Sequence, residues 1–390
     1  MRFRILSLLA VLIAYGSLYP FNFTVPEPHA AAWVRLFNDW SLITSKGDML
    51  GNVALFVPFG FAGVFAVPAQ PHPPLRVTTL ALLSLALATA LQIAQIYFPP
   101  RTPALADVVW NMVGTGIGIV AGLSLRAHFR LRWRTWQRAY TIPLSLIVLW
   151  IAAELLPLVP SLDLQSIKDS LKALLRLHMS PLDVLWHASG VLLAGRALTA
   201  IFGTARALQW LGVLVAVVIA GKVLVVTRVL NASTLVGFAV GYGVWRFVSG
   251  SKQPWRSEVV VLAALLAAYT LKALEPFELR PVPAAFSWVP FAGMLQGSML
   301  INAEVLIESV FFFAGLLGLI RMQGSGVGVS SVVLALWVAA LEALQMYIVG
   351  RSPDITEPLL VLLVGQILRH APAGTAPATR PYATRRRSSR

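Results

Sequence analysis

Twelve mostly apolar stretches follow one another along this 390-residue chain, at about 5–19, 48–67, 76–97, 104–125, 142–158, 181–200, 208–229, 231–248, 258–274, 302–321, 329–349 and 355–369. A bilayer core about 30 Å thick needs about 17–25 helical residues to cross it; ten of these stretches reach that range, and 5–19 and 355–369 fall just short of it. With 57% of residues hydrophobic, 12% charged and a mean hydropathy of +0.75, the chain cannot build a water-soluble surface. The expectation is an all-α, polytopic integral membrane bundle of about twelve transmembrane helices. The first stretch follows Arg2 and Arg4, but Ala14-Tyr15-Gly16-Ser17-Leu18-Tyr19-Pro20 offers no clear small-x-small cleavage site, so it is read as a retained helix. There are no cysteines, which excludes disulfides, cysteine-ligated zinc, iron–sulfur clusters and a thiol nucleophile.

Orientation follows from the loops that hold Lys and Arg. With the N-terminus in the cytoplasm, 20 of the 31 basic residues fall on the inner side, including the run Arg126, Arg130, Arg132, Arg134 and Arg138, and 9 fall outside. Lys222 and Lys272 lie within spans. An even number of spans returns the C-terminus to the cytoplasm. The tail Ala371–Arg390, with Arg385-Arg386-Arg387, then reads as a disordered, basic segment facing anionic lipid rather than nucleic acid. The localisation expected is the inner, cytoplasmic membrane.

Self-comparison shows an internal repeat. Tyr19-Pro20-Phe21-Asn22-Phe23 precedes Asp48 by the same interval that separates Glu275-Pro276-Phe277-Glu278-Leu279 from Glu304. Asp48-x3-Asn52 becomes Glu304-x3-Glu308, Gln92-x2-Gln95 becomes Glu342-x2-Gln345, and Arg101-Thr102-Pro103-Ala104-Leu105-Ala106-Asp107 becomes Arg351-Ser352-Pro353-Asp354-Ile355-Thr356-Glu357. The middle third reads as a decayed copy. Asp183-x3-His187 stands for Asp48-x3-Asn52, Lys222 for Gln92, Asn231 for Arg101, and Gly237 and Gly241 for Asp107 and Asn111. The expected division is unit 1 at 1–125, a basic inner linker at 126–139, a degenerate unit 2 at 140–250, unit 3 at 251–370 and the tail at 371–390. Each unit would have four helices and a long outer loop. The segments Ala31–Trp40, Ser166–His178 and Phe286–Leu300 in those loops read as interfacial helices, with a plain loop as the alternative for the middle one.

The pattern Asp48-x3-Asn52-x2-Leu55-Phe56-Val57-Pro58-Phe59-Gly60-Phe61, with Gln92-x2-Gln95 and Arg101-x5-Asp107-x3-Asn111-x2-Gly114, resembles the VanZ-like family of bacterial membrane proteins. That family is named for an accessory protein of glycopeptide-antibiotic resistance. The first unit carries the pattern well and the last carries its second half. The family has Glu where this chain has Gln92 and Asp where it has Ala104, which Glu342 and Asp354 supply in the last unit; there, Val361 replaces Asn111 and Glu308 replaces Asn52. The resemblance implies an integral-membrane role at the cell envelope, with lipid-directed antibiotic resistance among its candidate roles. It brings no settled biochemical activity.

In this topology only Glu258 of the 16 acidic residues lies on the inner side, and acidic residues contribute little to orientation. An ionised group at the bilayer centre costs about 2.5–3.5 kcal/mol or more unless partnered. Asp107 and Asn111 share a helix face at i, i+4, as do Asp48 and Asn52. Arg101 is the expected cation for Asp107 or Asp48, Arg351 for Glu357, Glu304 or Glu308, and Asp183 the expected anion for Lys222.

The candidate binding set is therefore Asp48, Asn52, Gln92, Gln95, Arg101, Asp107, Asn111, Lys222, Glu304, Glu308, Glu342, Gln345, Arg351, Asp354 and Glu357. His187 with Asp183 and His178 lacks the geometry of a metal site, and no metal or cofactor is expected. The readings that remain open are a structural network locking helix ends, a site that binds or shields a lipid-linked headgroup at the outer face, a membrane enzyme or transporter acting on a polyprenyl- or glycolipid-linked substrate, and a membrane scaffold. The expected partners are membrane lipids and a lipid-linked envelope intermediate. No catalytic residue and no oligomeric state is assigned.

Overall fold

The computed structural model describes residues 2–19, 21–25, 33–34, 46–66, 73–99, 103–128, 133–156, 179–225, 230–251, 253–295 and 299–371. The described residues form helices α1 (Arg2–Leu18), α2 (Lys46–Ala66), α3 (Pro73–Gln95), α4 (Leu105–His128), α5 (Trp133–Leu155), α6 (Pro181–Phe202), α7 (Thr204–Leu224), α8 (Ala232–Ser249), α9 (Pro254–Leu274), α10 (Met299–Met322), α11 (Val327–Gln345) and α12 (Thr356–His370), plus a helical turn at Ala292–Leu295. Among them, β structure is limited to two isolated bridges, Leu279 with Ile348 and Ser287 with Asp354. Each expected apolar stretch coincides with one helix. Among the described residues, seven helices are long and apolar enough to cross a membrane: Leu75–Gln95, Leu105–Leu125, Pro181–Phe202, Thr204–Leu224, Trp255–Leu274, Glu304–Met322 and Val327–Gln345. Leu6–Leu18, Gly51–Ala66 and Tyr140–Leu155 are shorter apolar helices. The chain is thus an all-helical protein of membrane type.

The chain divides into two compact units, Met1–Trp133 with Met294–Met299, and Arg134–Gly293 with Leu300–Arg390. In the first, α2 and α4 cross at backbone contact because glycines line the crossing. A Cβ on Gly114 would sit 2.2 Å from the Val53 carbonyl oxygen, and one on Gly118 would sit 2.2 Å from that of Val57. Small residues at every fourth position permit this approach in apolar surroundings, where close packing rather than water exclusion holds helices together. The second unit is built around Trp150, Trp245, Phe238, Phe312, Phe313, Leu193 and Leu265, all buried. Here the crossing of α6 and α8 repeats the device, with Gly237 facing the Val184 carbonyl and Gly241 that of Ala188.

Read through the expected repeat, that crossing offers a second alignment of the middle third. If Asp183-x3-His187 stands for Asp48-x3-Asn52, Ala188 is the counterpart of Val53. On that alignment Gly241 would stand where Gly114 does, and Thr234 rather than Gly237 where Asp107 does.

Side-chain caps set where two of these helices begin. Ser180 caps α6 by accepting the Asp183 amide at 3.3 Å, with Pro181 at the first helical position. Asn231 caps α8 through the Thr234 amide at 2.8 Å. Between α9 and the turn at Ala292–Leu295 the chain is extended rather than helical, which corrects the expected interfacial helix from Phe286. The Arg280 amide donates to the Tyr347 carbonyl at 2.8 Å, and the Ile355 amide to the Ser287 carbonyl at 3.1 Å. Of the other two expected interfacial helices, Ala31–Trp40 is described only at Trp33–Val34, and Ser166–His178 lies outside the described residues, as do Arg130, Arg132 and the tail beyond Ala371.

The N-terminal and C-terminal thirds share local geometry at matched positions. Phe21 and Phe277 have φ of 65° and 64°, and their amides donate to the Leu18 and Leu274 carbonyls at 3.0 and 2.9 Å. The Thr24 amide reaches the Tyr97 carbonyl at 2.9 Å, as the Arg280 amide reaches that of Tyr347.

Candidate functional site

Three polar groups stand at the helix ends. In the first unit, Asn52 on α2 donates its Nδ2 to Asp107 Oδ1 on α4 at 2.8 Å. Gln92 at the end of α3 reaches Asp107 Oδ2 at 3.5 Å while its Oε1 accepts the Ala104 amide at 2.9 Å. Asn111, one turn beyond Asp107, is 3% exposed, and its Oδ1 has no hydrogen-bond partner among the described residues. Gln95 turns away and donates to the Ser17 carbonyl at 3.0 Å. The residues Asn52, Gln92, Asp107 and Asn111, separated in sequence, thus sit together. Arg101 and the side chain of Asp48 lie outside the described residues.

The second group was only partly anticipated. Lys222, near the end of α7, is 4% exposed, and it pairs with Glu154 Oε2 on α5 at 2.7 Å. Asp183, the expected anion, instead meets Lys272 Nζ at 2.8 Å. Lys272 also reaches Glu275 at 2.9 Å. The other Glu154 oxygen faces His187 Nδ1 on α6 at 3.0 Å, and His187 Nε2 faces Thr234 Oγ1 on α8 at 3.1 Å. The Thr234 hydroxyl donates onward to Asn231 Oδ1 at 2.8 Å. Glu154 was missed, although it is the lone acid of its apolar stretch and Lys222 a base well inside another. Two opposite charges in hydrocarbon are each other's natural partners.

The third group is acidic. The Asp354 amide donates to Glu342 Oε2 at 3.0 Å, matching the Ala104 to Gln92 bond of the first unit. Glu357 accepts from Ser309 Oγ at 3.0 Å and from the Tyr269 hydroxyl. Asp354 Oδ1 accepts the Thr356 amide at 2.6 Å. No Lys, Arg or His among the described residues forms an ion pair with Glu342, Asp354 or Glu357. The expected cation, Arg351, is engaged elsewhere: its guanidinium donates to the carbonyls of Glu275, at 2.7 Å, and Lys272. These are carbonyls at the end of α9, which a helix leaves without internal partners. Arg280, which sequence reasoning passed over, likewise ties the Ile348 and Arg351 carbonyls at 2.9 and 2.8 Å. Gln345 is buried at the end of α11. Glu304 stands on α10 and Glu308 one turn further along, against a cavity shared with Glu154, His187 and Lys222.

The family model described as VanZ/LLP1 matches residues 5–126, so the N-terminal third of the chain is similar to that family. No curated protein and no solved structure matches the chain.

Proposed function

Taking the VanZ-like unit as premise, we propose that this is an integral protein of the cytoplasmic membrane with twelve spans, both termini inside and three four-helix copies of one unit, which holds the headgroup of a lipid-linked envelope component at its outer face. Shielding that headgroup would contribute to tolerance of glycopeptide or other lipid-directed antibiotics. The observation that carries the reading is the first polar group, in which the Asn111 Oδ1 acceptor is buried and unpaired beside the Asp107 carboxylate. A buried acceptor without a donor costs about 1–3 kcal/mol, and a ligand hydroxyl or amine would repay that loss. Acceptors of this kind suit a sugar- or amino-acid-bearing headgroup, while the apolar helix faces suit its chains. The repeat rests on matched features: the left-handed Phe21 and Phe277, and the Ala104–Gln92 and Asp354–Glu342 bonds.

The test is an Asn111→Leu variant, nearly isosteric and apolar, reconstituted with envelope lipids. Native mass spectrometry should find the co-purifying polar lipid lost, and cells expressing the variant should lose tolerance at unchanged protein level. Full retention of both would overturn the reading. The acidic group of Glu342, Asp354 and Glu357 favours a second reading, an enzyme or transporter acting on a polyprenyl- or glycolipid-linked substrate, because clustered carboxyls without a described cation suit acid–base work. Turnover by wild type and its abolition in a folded Glu342→Gln variant would select that reading.

A further inference from the structure

Between α5, α6, α7 and α10 lies a cavity of about 40 Å³, lined by Trp150, Glu154, His187, Gly190, Lys222 and Glu308 among others. At about 10–15 Å³ per water it holds about three or four. Its walls offer hydrogen bonds that the protein does not use. Trp150 is 1% exposed, and its Nε1–H has no acceptor among the described residues. Lys222 has three N–H donors, and its ion pair with Glu154 occupies one. Gly190 helps keep the space open, since a Cβ there would lie 2.7 Å from Trp150 Nε1. A polar, roomy site with unused donors is where buried water is held.

Hydrogen positions next to the cavity follow from donor and acceptor roles. Asn231 Oδ1 receives both the amide and the hydroxyl hydrogen of Thr234. The Thr234 oxygen therefore accepts from His187, which places a hydrogen on Nε2. The remaining contact, Glu154 Oε1 to His187 Nδ1 at 3.0 Å, needs one proton between a carboxyl and a ring nitrogen. That proton has a carboxyl on one side, an imidazole on the other, and a second carboxyl, Glu308, across the cavity.

We propose that this cavity is a hydrated proton-relay site. The proton held between Glu154 Oε1 and His187 Nδ1 passes to cavity water, and a proton of that water chain passes to the Glu308 carboxylate. One bond to hydrogen breaks at the Glu154–His187 pair and one O–H bond forms on Glu308, so the summed charge of the two carboxyls and the imidazole is unchanged, and the reverse transfer restores the pair. Lys222 on α7 holds the Glu154 carboxylate in place and presents its spare N–H donors to the water. Thr234 and Asn231 on α8 fix the His187 tautomer. Buried chains of Glu and His are the usual carriers of such transfers within membranes.

The test is ¹⁵N-histidine NMR of the full chain in nanodiscs, with His29, His72, His128, His178 and His370 replaced by Gln so that His187 alone reports. The readout is exchange of the Nδ1 proton with water. A relay exchanges this buried proton rapidly in wild type. Gly190→Ala, which narrows the cavity, and Glu308→Gln, which removes the far carboxyl, should each slow it roughly tenfold or more, the effect of losing one hydrogen-bonded link. His187 chemical shifts that stay in place in both variants would show that the Glu154 and Thr234 contacts persist. Slow exchange in wild type, or exchange indifferent to both substitutions, would overturn the proposal and leave a static network. Ala153→Val narrows the same cavity from α5 and serves if Gly190→Ala does not fold.

Discussion

The Glu154–Lys222 pair shows what a single charge demands inside an apolar bundle. Both groups are over nine-tenths buried and 2.7 Å apart, so bulk water solvates neither and each depends on the other. Removing one partner of a buried pair costs about 3–5 kcal/mol, because it strands the other. Glu154→Gln is therefore expected to lower unfolding stability by about that amount in detergent denaturation. A Glu154→Leu, Lys222→Met double variant should recover most of the loss; equal losses in the single and double variants would mean that the pair is not the source. Asp183→Asn, whose partner Lys272 keeps Glu275 at 2.9 Å and is about a third exposed, should change stability by no more than about 1 kcal/mol. The contrast between these two acids explains why part of the site was legible and part was not. The grouping of Asn52, Asp107 and Asn111 follows from i, i+4 spacing on one helix and a matched polar turn on its neighbour. The choice between Asp183 and Glu154 as the partner of Lys222 depends on which helices are adjacent in space, and no local spacing encodes that. Arg351 was misassigned for a related reason. Carbonyls at a helix end compete with carboxylates for a guanidinium, and the sequence displays only the carboxylates.

Helices α2 and α4 carry a prediction that contains its own control. Gly114, Gly116 and Gly118 sit on one helix, but a Cβ on Gly116 would meet nothing within 4 Å, whereas one on either neighbour would collide with backbone at 2.2 Å. Backbone cannot rotate aside as a side chain can, so Gly114→Ala and Gly118→Ala should each force the helices apart at a cost of about 1–3 kcal/mol. Gly116→Ala has no such conflict and should be neutral or stabilising by up to about 1 kcal/mol through helix propensity. Thermal denaturation of the three variants in one detergent checks the order; equal effects would rule out the crossing as described. The existence and placement of the helices were legible because apolar length alone determines them. The register of the α6–α8 crossing was not, because it depends on backbone contact. The extended stretch after α9 did have a signal, Pro276, Pro281 and Pro283. The residue before each proline is pushed toward extended backbone, which works against a helix through that segment.

At the scale of the whole chain, the proposed topology makes Val282 and Ser325 opposite in side. Val282 lies in the extended connection after α9, and Ser325 in the turn between α10 and α11, next to Gly324 with its φ of 82°. The distribution of basic residues, 20 inside against 9 outside with Lys222 and Lys272 in spans, puts the first outside and the second in the cytoplasm. Because the chain has no cysteine, Val282→Cys and Ser325→Cys can each be labelled without a background. An impermeant maleimide added to intact spheroplasts should label the first and reach the second only after permeabilisation. Labelling of both from one side would remove the outward orientation on which the headgroup reading depends. The same position reports depth. Leu279, Val282 and Trp288 are 78%, 73% and 75% exposed, while Arg280 and Arg351 tie the surrounding backbone to the ends of α9 and α11. A stretch anchored to the ends of two apolar helices and showing apolar side chains belongs at the lipid interface, where such side chains are buried among headgroups. An environment-sensitive fluorophore on Val282→Cys should therefore emit to the blue of its value in water. Nitroxide lipids labelled near the headgroup should quench it more than an aqueous quencher does, and the reverse order would place this segment in water or against another protein.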